Sequence, residues 1–235
     1  MKREHIHLQA IPAIIWGEPS DRAYIYAHGR YGNKEEAEFF AEIAEERGYQ
    51  VISFDLPQHG ERKDDAYPCS VQNGVRDFKI LGNYSSRRWK ELSFCGSSLG
   101  AYFGLVSYRA LELDRCLLIS PILDMERLIR NMMAALNVSE DELSEKQEIP
   151  TPFGETLSWP YYAYVKEHRI EQWEPETHIL WGTRDHLTAP EVVRDFCERF
   201  HCGLKVMDGA EHYFQESRHL QERELWLESH IPIPG

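Results

Sequence analysis

Gly96-Ser97-Ser98-Leu99-Gly100 is the stretch of this 235-residue chain whose spacing best suits covalent chemistry. Glycines two positions either side of a serine let the backbone turn so sharply that the serine is held strained, with its hydroxyl exposed. Such a pentamer arises by chance about 0.1 times in a chain of this length, so its surroundings decide. A short apolar run, 92–95, precedes it, and 99–111 has helix composition despite Gly104. The order strand, tight turn, helix places the Ser98 hydroxyl at the mouth of a sheet, beside a helix N-terminus. There the Leu99 N–H has no helical partner and can bind an oxyanion. The competing reading is a small-residue turn that merely lets a strand and a helix pack closely.

Short apolar runs alternate with amphipathic stretches, the pattern of βα units in a mostly parallel sheet with helices on both faces. Arg22–Ala27 reads as a strand, and 34–47 as a helix in which Ala37, Phe40, Ala41 and Ala44 follow helical spacing before Gly48 closes it. Gln50–Phe54 is the next strand, and a helix covers much of 75–90, with Gly82 weakening its middle. Arg115–Ile119, 178–181 and 204–207 read as buried strands, and a helix opens at Pro190, a residue suited to the first helical position. Between the strands at 119 and 179 the segment 124–176 is too long for an ordinary connection and needs structure of its own. Its first part, 125–136, has helical spacing. Its second, 150–164, carries Phe153, Trp159, Tyr161, Tyr162 and Tyr164 among prolines and glycine.

Four further motifs surround the serine. Trp181-Gly182-Thr183-Arg184-Asp185 lies just past one strand and Asp208-Gly209-Ala210-Glu211-His212 just past the last. His28-Gly29-Arg30-Tyr31-Gly32 follows the strand ending at Ala27, and Asp55-Leu56-Pro57-Gln58-His59-Gly60-Glu61-Arg62 follows the strand ending at Phe54. With the pentamer, these motifs make the chain resemble the α/β-hydrolase-fold serine hydrolases, esterase- or lipase-like, from about residue 24 to residue 212. The resemblance implies that fold, with a single domain over 1–235 and 124–176 as a cap insertion. It also implies the chain order nucleophile, acid, histidine: Ser98, Asp185 and His212. A serine hydroxyl is a poor nucleophile until an imidazole takes its proton, and a carboxylate orients that imidazole. The strand ends of a parallel sheet share one rim, so residues distant in sequence can meet there.

By the same resemblance the second oxyanion donor is the backbone N–H of Arg30, although the loop departs from the glycine-rich HGGG form. Asp124, which follows the strand ending at Ile119, is the alternative acid, and Asp208 is a third. His28 reads as a structural turn residue. His59 belongs to a segment similar to the family's D-x-P-G-H-G-x-S signature, with Gln58 and Arg62 in place of glycine and serine. The Arg30 side chain can meet a substrate carboxylate, although an exposed arginine is the commoner case. Phe153, Trp159 and Tyr162, with Met132 and Met133, can line a pocket, but a cap must also bury its own underside.

The net charge of −13 disfavours nucleic acid, because phosphate binding needs clustered Lys and Arg and the only basic cluster is Arg87, Arg88 and Lys90. Five cysteines without a CxxC pair suit a reducing compartment and make zinc ligation a poor reading. No signal-peptide order is visible at the N-terminus and no apolar run reaches the roughly 20 residues of a spanning helix, so the chain reads as cytoplasmic and without a membrane partner. The expected activity is cleavage of a small-molecule carboxylic ester or related acyl substrate with no metal or organic cofactor. Acyl transfer, thioester, amide or peptide cleavage can use the same three residues, and a ligand-binding protein can use the same fold. Oligomeric state is not readable from the sequence.

Overall fold

The N-terminal residues form an antiparallel pair at one edge of the sheet. Strand β1 (Arg3–Leu8) runs beside β2 (Ile11–Trp16), which is buried along its whole length and pairs in turn with β4 (Gln50–Phe54). In this computed structural model, which describes residues 1–152 and 154–233, the chain then alternates between strand and helix. β3 (Arg22–Ala27) leads through a 3-10 turn into α1 (Glu38–Glu46), and β4 leads into α2 (Val71–Arg88). β5 (Glu91–Ser97) passes directly into α3 (Ser98–Ser107), followed by β6 (Arg115–Ile119). After the insertion come β9 (Glu176–Gly182), α7 (Pro190–Phe200), β10 (Gly203–Met207) and α8 (Ser217–His230).

The insertion itself holds α4 (Met125–Ala135), α5 (Glu140–Lys146), a small hairpin of β7 (Glu148–Pro150) and β8 (Thr156–Ser158), and α6 (Trp159–Glu167). The main sheet has the order β1-β2-β4-β3-β5-β6-β9-β10, with every pair from β4 to β10 parallel. The sheet is therefore mostly parallel and flanked by helices, as the alternation of runs predicts. Among the described residues no helix is long and apolar enough to cross a membrane.

Period-two alternation divides the core between the two faces. In β3, Ala23, Ile25 and Ala27 enter the apolar cluster that includes α2 and α3, while Tyr24 and Tyr26 enter the one that includes α1 and α8. Phe78 of α2 is the centre of an aromatic group, with ring centroids 5.0 Å from Phe54, 5.4 Å from Tyr108 and 5.9 Å from Phe103. Each such fully buried ring contributes about 1.5–3 kcal/mol through apolar burial. The insertion's Ile129, Met133, Leu143, Leu157 and Tyr162 join the same cluster, so its underside is continuous with the main core.

Helix α2 starts at Val71, four residues ahead of the expected start, because the Ser70 hydroxyl accepts the Asn73 N–H at 3.2 Å and caps it. Gly82 does not break the helix. A methyl group there would lie 3.0 Å from the Tyr108 ring, so the glycine is what lets α2 approach the end of α3.

Candidate active site

Ser98 stands at the junction of β5 and α3 with φ +48°, in the left-handed region that a residue with a Cβ adopts only under constraint. The constraint is visible on both sides. A Cβ at Gly96 would lie 2.6 Å from the Phe94 ring and 2.8 Å from the Ala101 Cα, and one at Gly100 would lie 2.3 Å from the His28 carbonyl oxygen. Neither position admits a side chain, so the turn is held by close packing on both flanks. Leu99 is the second residue of α3, where the backbone N–H groups have no intrahelical acceptor.

Asp185 and His212 come from the loops after β9 and β10, and those loops are fastened to each other. The Thr183 N–H donates to the Met207 carbonyl at 3.0 Å, and the Arg184 N–H to the Ala210 carbonyl at 2.9 Å. Gly182 permits the contact, since a Cβ there would sit 2.3 Å from the Ala210 oxygen. Asp185 Oδ1 accepts the N–H groups of Leu187 at 2.8 Å and Thr188 at 3.2 Å, which leaves Oδ2 for His212 Nδ1 at 2.8 Å. His212 Nε2 meets Ser98 Oγ at 2.8 Å. The His212 and Asp185 side chains are 1% and 0% exposed, so water scarcely competes for these bonds. The arrangement can move a proton off the serine hydroxyl and stabilise the resulting imidazolium.

The other acids lie elsewhere. Asp124 caps α4, accepting the Arg127 N–H at 2.9 Å, and Asp208 accepts from the Thr183 hydroxyl at 3.3 Å. His28 is buried between two loops, with Nδ1–H donating to the Gly29 carbonyl at 2.8 Å and Nε2 accepting the Leu56 N–H at 3.1 Å. Burial pushes its pKa down to about 3, which keeps it neutral and structural. His59 is likewise lowered by burial and lies against the Pro57 carbonyl at 2.8 Å.

The loop after β3 approaches the serine closely, for a Cβ on Gly29 would be 3.1 Å from Ser98 Cβ. Arg30 follows immediately. Its Nη2 pairs with Glu155 Oε2 at 2.8 Å, and the Tyr31 hydroxyl donates to Glu155 Oε1 at 3.1 Å. Burial is the largest single influence on Arg30 and would lower its pKa, but Glu155, Cys69 and Tyr31 together raise it above the ordinary value. Tyr213, beside His212, has its pKa raised by burial and feels the charges of Glu155, Asp185 and Arg30.

Among the pocket candidates of the insertion, Phe153 lies outside the described residues. Trp159 is half-buried, with its ring 6.1 Å from that of Tyr162. Tyr162 is fully buried and its hydroxyl donates to Glu140 at 2.7 Å, so it packs the interior of the insertion. Tyr161, one position earlier on α6, is within electrostatic reach of Tyr102, Cys69, Arg30 and Glu155, and burial raises its pKa well above the ordinary value. Aromatic composition could not distinguish these neighbours, because the phase of α6 decides which of them meets the loop after β3. Glu155 carried no signal of its own in the sequence.

The fold is that of the α/β hydrolases. The chain is similar to Est1E from Butyrivibrio proteoclasticus, solved with ferulic acid bound, at TM-score 0.78 and 17% identity over 96% of each chain. It is also similar to α/β hydrolase domain-containing protein 10 from mouse, at TM-score 0.75 and 14% identity over 97% of this chain and 98% of that one. An esterase from Pyrococcus furiosus superposes with TM-score 0.66 and 20% identity over 97% of this chain and 89% of the other. No family model matches the sequence, and no curated protein matches it. The likeness at these identities is one of fold.

Proposed function

We propose that the chain is a serine hydrolase that cleaves a small carboxylic ester through an acyl-enzyme on Ser98. The observation that carries the reading is the hydrogen-bonded line from Ser98 Oγ through His212 to Asp185, with 2.8 Å at each contact. Ser98 Oγ attacks the carbonyl carbon while His212 Nε2 takes its proton. The N–H groups of Leu99 and Arg30 hold the oxyanion, and a donor of this kind contributes about 10²–10³ in rate. His212 then protonates the leaving alcohol, and water, deprotonated by the same imidazole, releases the acid. Asp185 keeps the Nδ1–H of His212 directed away from the serine. The ferulic acid held by Est1E and the esterase named from Pyrococcus furiosus favour an acyl substrate of small-molecule size.

In this reading residues 124–176 act as a cap, with Trp159 and Tyr161 on the substrate side. Ser98→Ala is expected to abolish hydrolysis of 4-nitrophenyl acetate and labelling by a fluorophosphonate probe. Labelling retained by that variant rejects the assignment of Ser98.

A further inference from the structure

Arg30 is an arginine placed one residue beyond the closest approach to Ser98, and its hydrogen bonding is incomplete. Its Nη2 reaches Glu155, and Cys69 and Tyr31 lie within its reach, while its Nε is buried without a hydrogen-bond partner. A guanidinium presents a planar fork that a carboxylate can fill with two parallel bonds, and the Glu155 pair uses one arm of it. Glu155 comes from the turn between β7 and β8, two strands of three residues each. The Arg30 and Glu155 side chains are 30% and 34% exposed, so either can be reached from solvent. Tyr31, whose ring lies 5.2 Å from the Arg30 guanidinium carbon, is 70% exposed, and Tyr213, whose ring lies against that of His212, is 50% exposed.

We infer that the Arg30 guanidinium is the recognition site for a free carboxylate on the substrate, and that Glu155 occupies it in the unliganded protein. The inference rests on the ester-hydrolase reading and narrows its substrate class to esters that carry a second, ionised carboxyl group. Exchange of one carboxylate for another conserves the charge-assisted bond to Arg30 and returns Glu155 to water, so the displacement costs little. An uncharged ester gains nothing from it, because Glu155 stays paired. The net charge of −13 sharpens the argument, since the general field of the protein repels anions and selection for one needs a local cation.

Binding and turnover test the two readings separately. The full-length Ser98→Ala protein is titrated calorimetrically with 4-acetoxybenzoate and with its uncharged methyl ester, alone and with Glu155→Gln or Arg30→Gln added. A second pair, 4-nitrophenyl hydrogen adipate and 4-nitrophenyl hexanoate, asks the same of the acyl side. In at least one pair the carboxylate compound is expected to bind about tenfold tighter than its neutral partner. Glu155→Gln should widen that preference about tenfold further, and Arg30→Gln should erase it. Equal affinities in both pairs, no binding of either, or a preference indifferent to Glu155→Gln overturns the inference. Wild-type turnover of the neutral esters without charge preference removes the carboxylate site and leaves the hydrolase standing. Charge-selective binding with no turnover of any ester does the reverse.

Discussion

Two ion pairs anchor the loop that follows β3, one near each end, and they differ in how much water they see. Lys34 Nζ lies 2.9 Å from Asp55 Oδ2 with both side chains at or below 1% exposure, and Asp55 also accepts the N–H groups of Lys34 at 2.8 Å and Glu61 at 3.0 Å. Burial pulls the Lys34 ammonium down, yet Glu61, Asp55 and Glu35 together hold its pKa above the ordinary value. Arg30 and Glu155, at the other end, are each about one-third exposed. A buried pair cannot open without stranding a charge, whereas a half-exposed pair can trade partners with solvent or ligand at small cost. One end of the loop therefore fastens the fold and the other is free to serve recognition.

The largest effect is expected where both ends have delivered the backbone to the serine. Asp185→Asn leaves the fold intact but frees His212 to take the wrong tautomer, and kcat for ester hydrolysis should fall about 10⁴-fold in steady-state assays. Next, Lys34→Met leaves the enclosed Asp55 carboxylate without its cation, and urea denaturation should register a loss of about 3–5 kcal/mol. Comparable in total, but spread over several pH units, is a pH effect from His28 in the same loop. Its unfolded pKa is 6.5 and its folded pKa about 3, so between these values unfolding takes up a proton. The contribution of His28 is complete above pH 6.5 and is lost as pH falls toward 3. His28→Gln should therefore flatten the dependence of stability on pH by about 1.4 kcal/mol per pH unit between these limits. The smallest change is Glu155→Gln, which should cost less than about 1 kcal/mol in the same denaturation experiment. A large loss there would erase the contrast between the two pairs.

The same contrast separates what the sequence discloses from what it hides. Ser98 is legible because its signal is local: two glycines at fixed offsets, an apolar run before them and a helix after. Asp185 and His212 have no such signature, and their places follow from the order of loops past successive strands and from the family resemblance. The N-terminal pair escaped sequence reading because β1 is largely exposed and Pro12 sits within the short apolar run of β2. Helix α8 escaped because most of its surface is polar and only His219, Trp226 and Leu227 are buried. Helix α6 was hidden by Pro160, which stands in its first turn, where a missing N–H does no harm. The bond between Tyr31 and Glu155 spans 124 positions, and nothing short of the folded chain brings those residues together.

The clasp between the loops after β9 and β10 bears on how the protein would fail. Gly209 N–H to Thr183 Oγ1 at 2.8 Å adds a third tie to the two already described, so imidazole and carboxylate ride on one rigid tile at the margin of the sheet. Wear at the exposed β10 border would tilt that tile as a whole. Activity would then fade through a lengthened gap to Ser98, while the low-field proton resonance of the His212–Asp185 bond stayed in place.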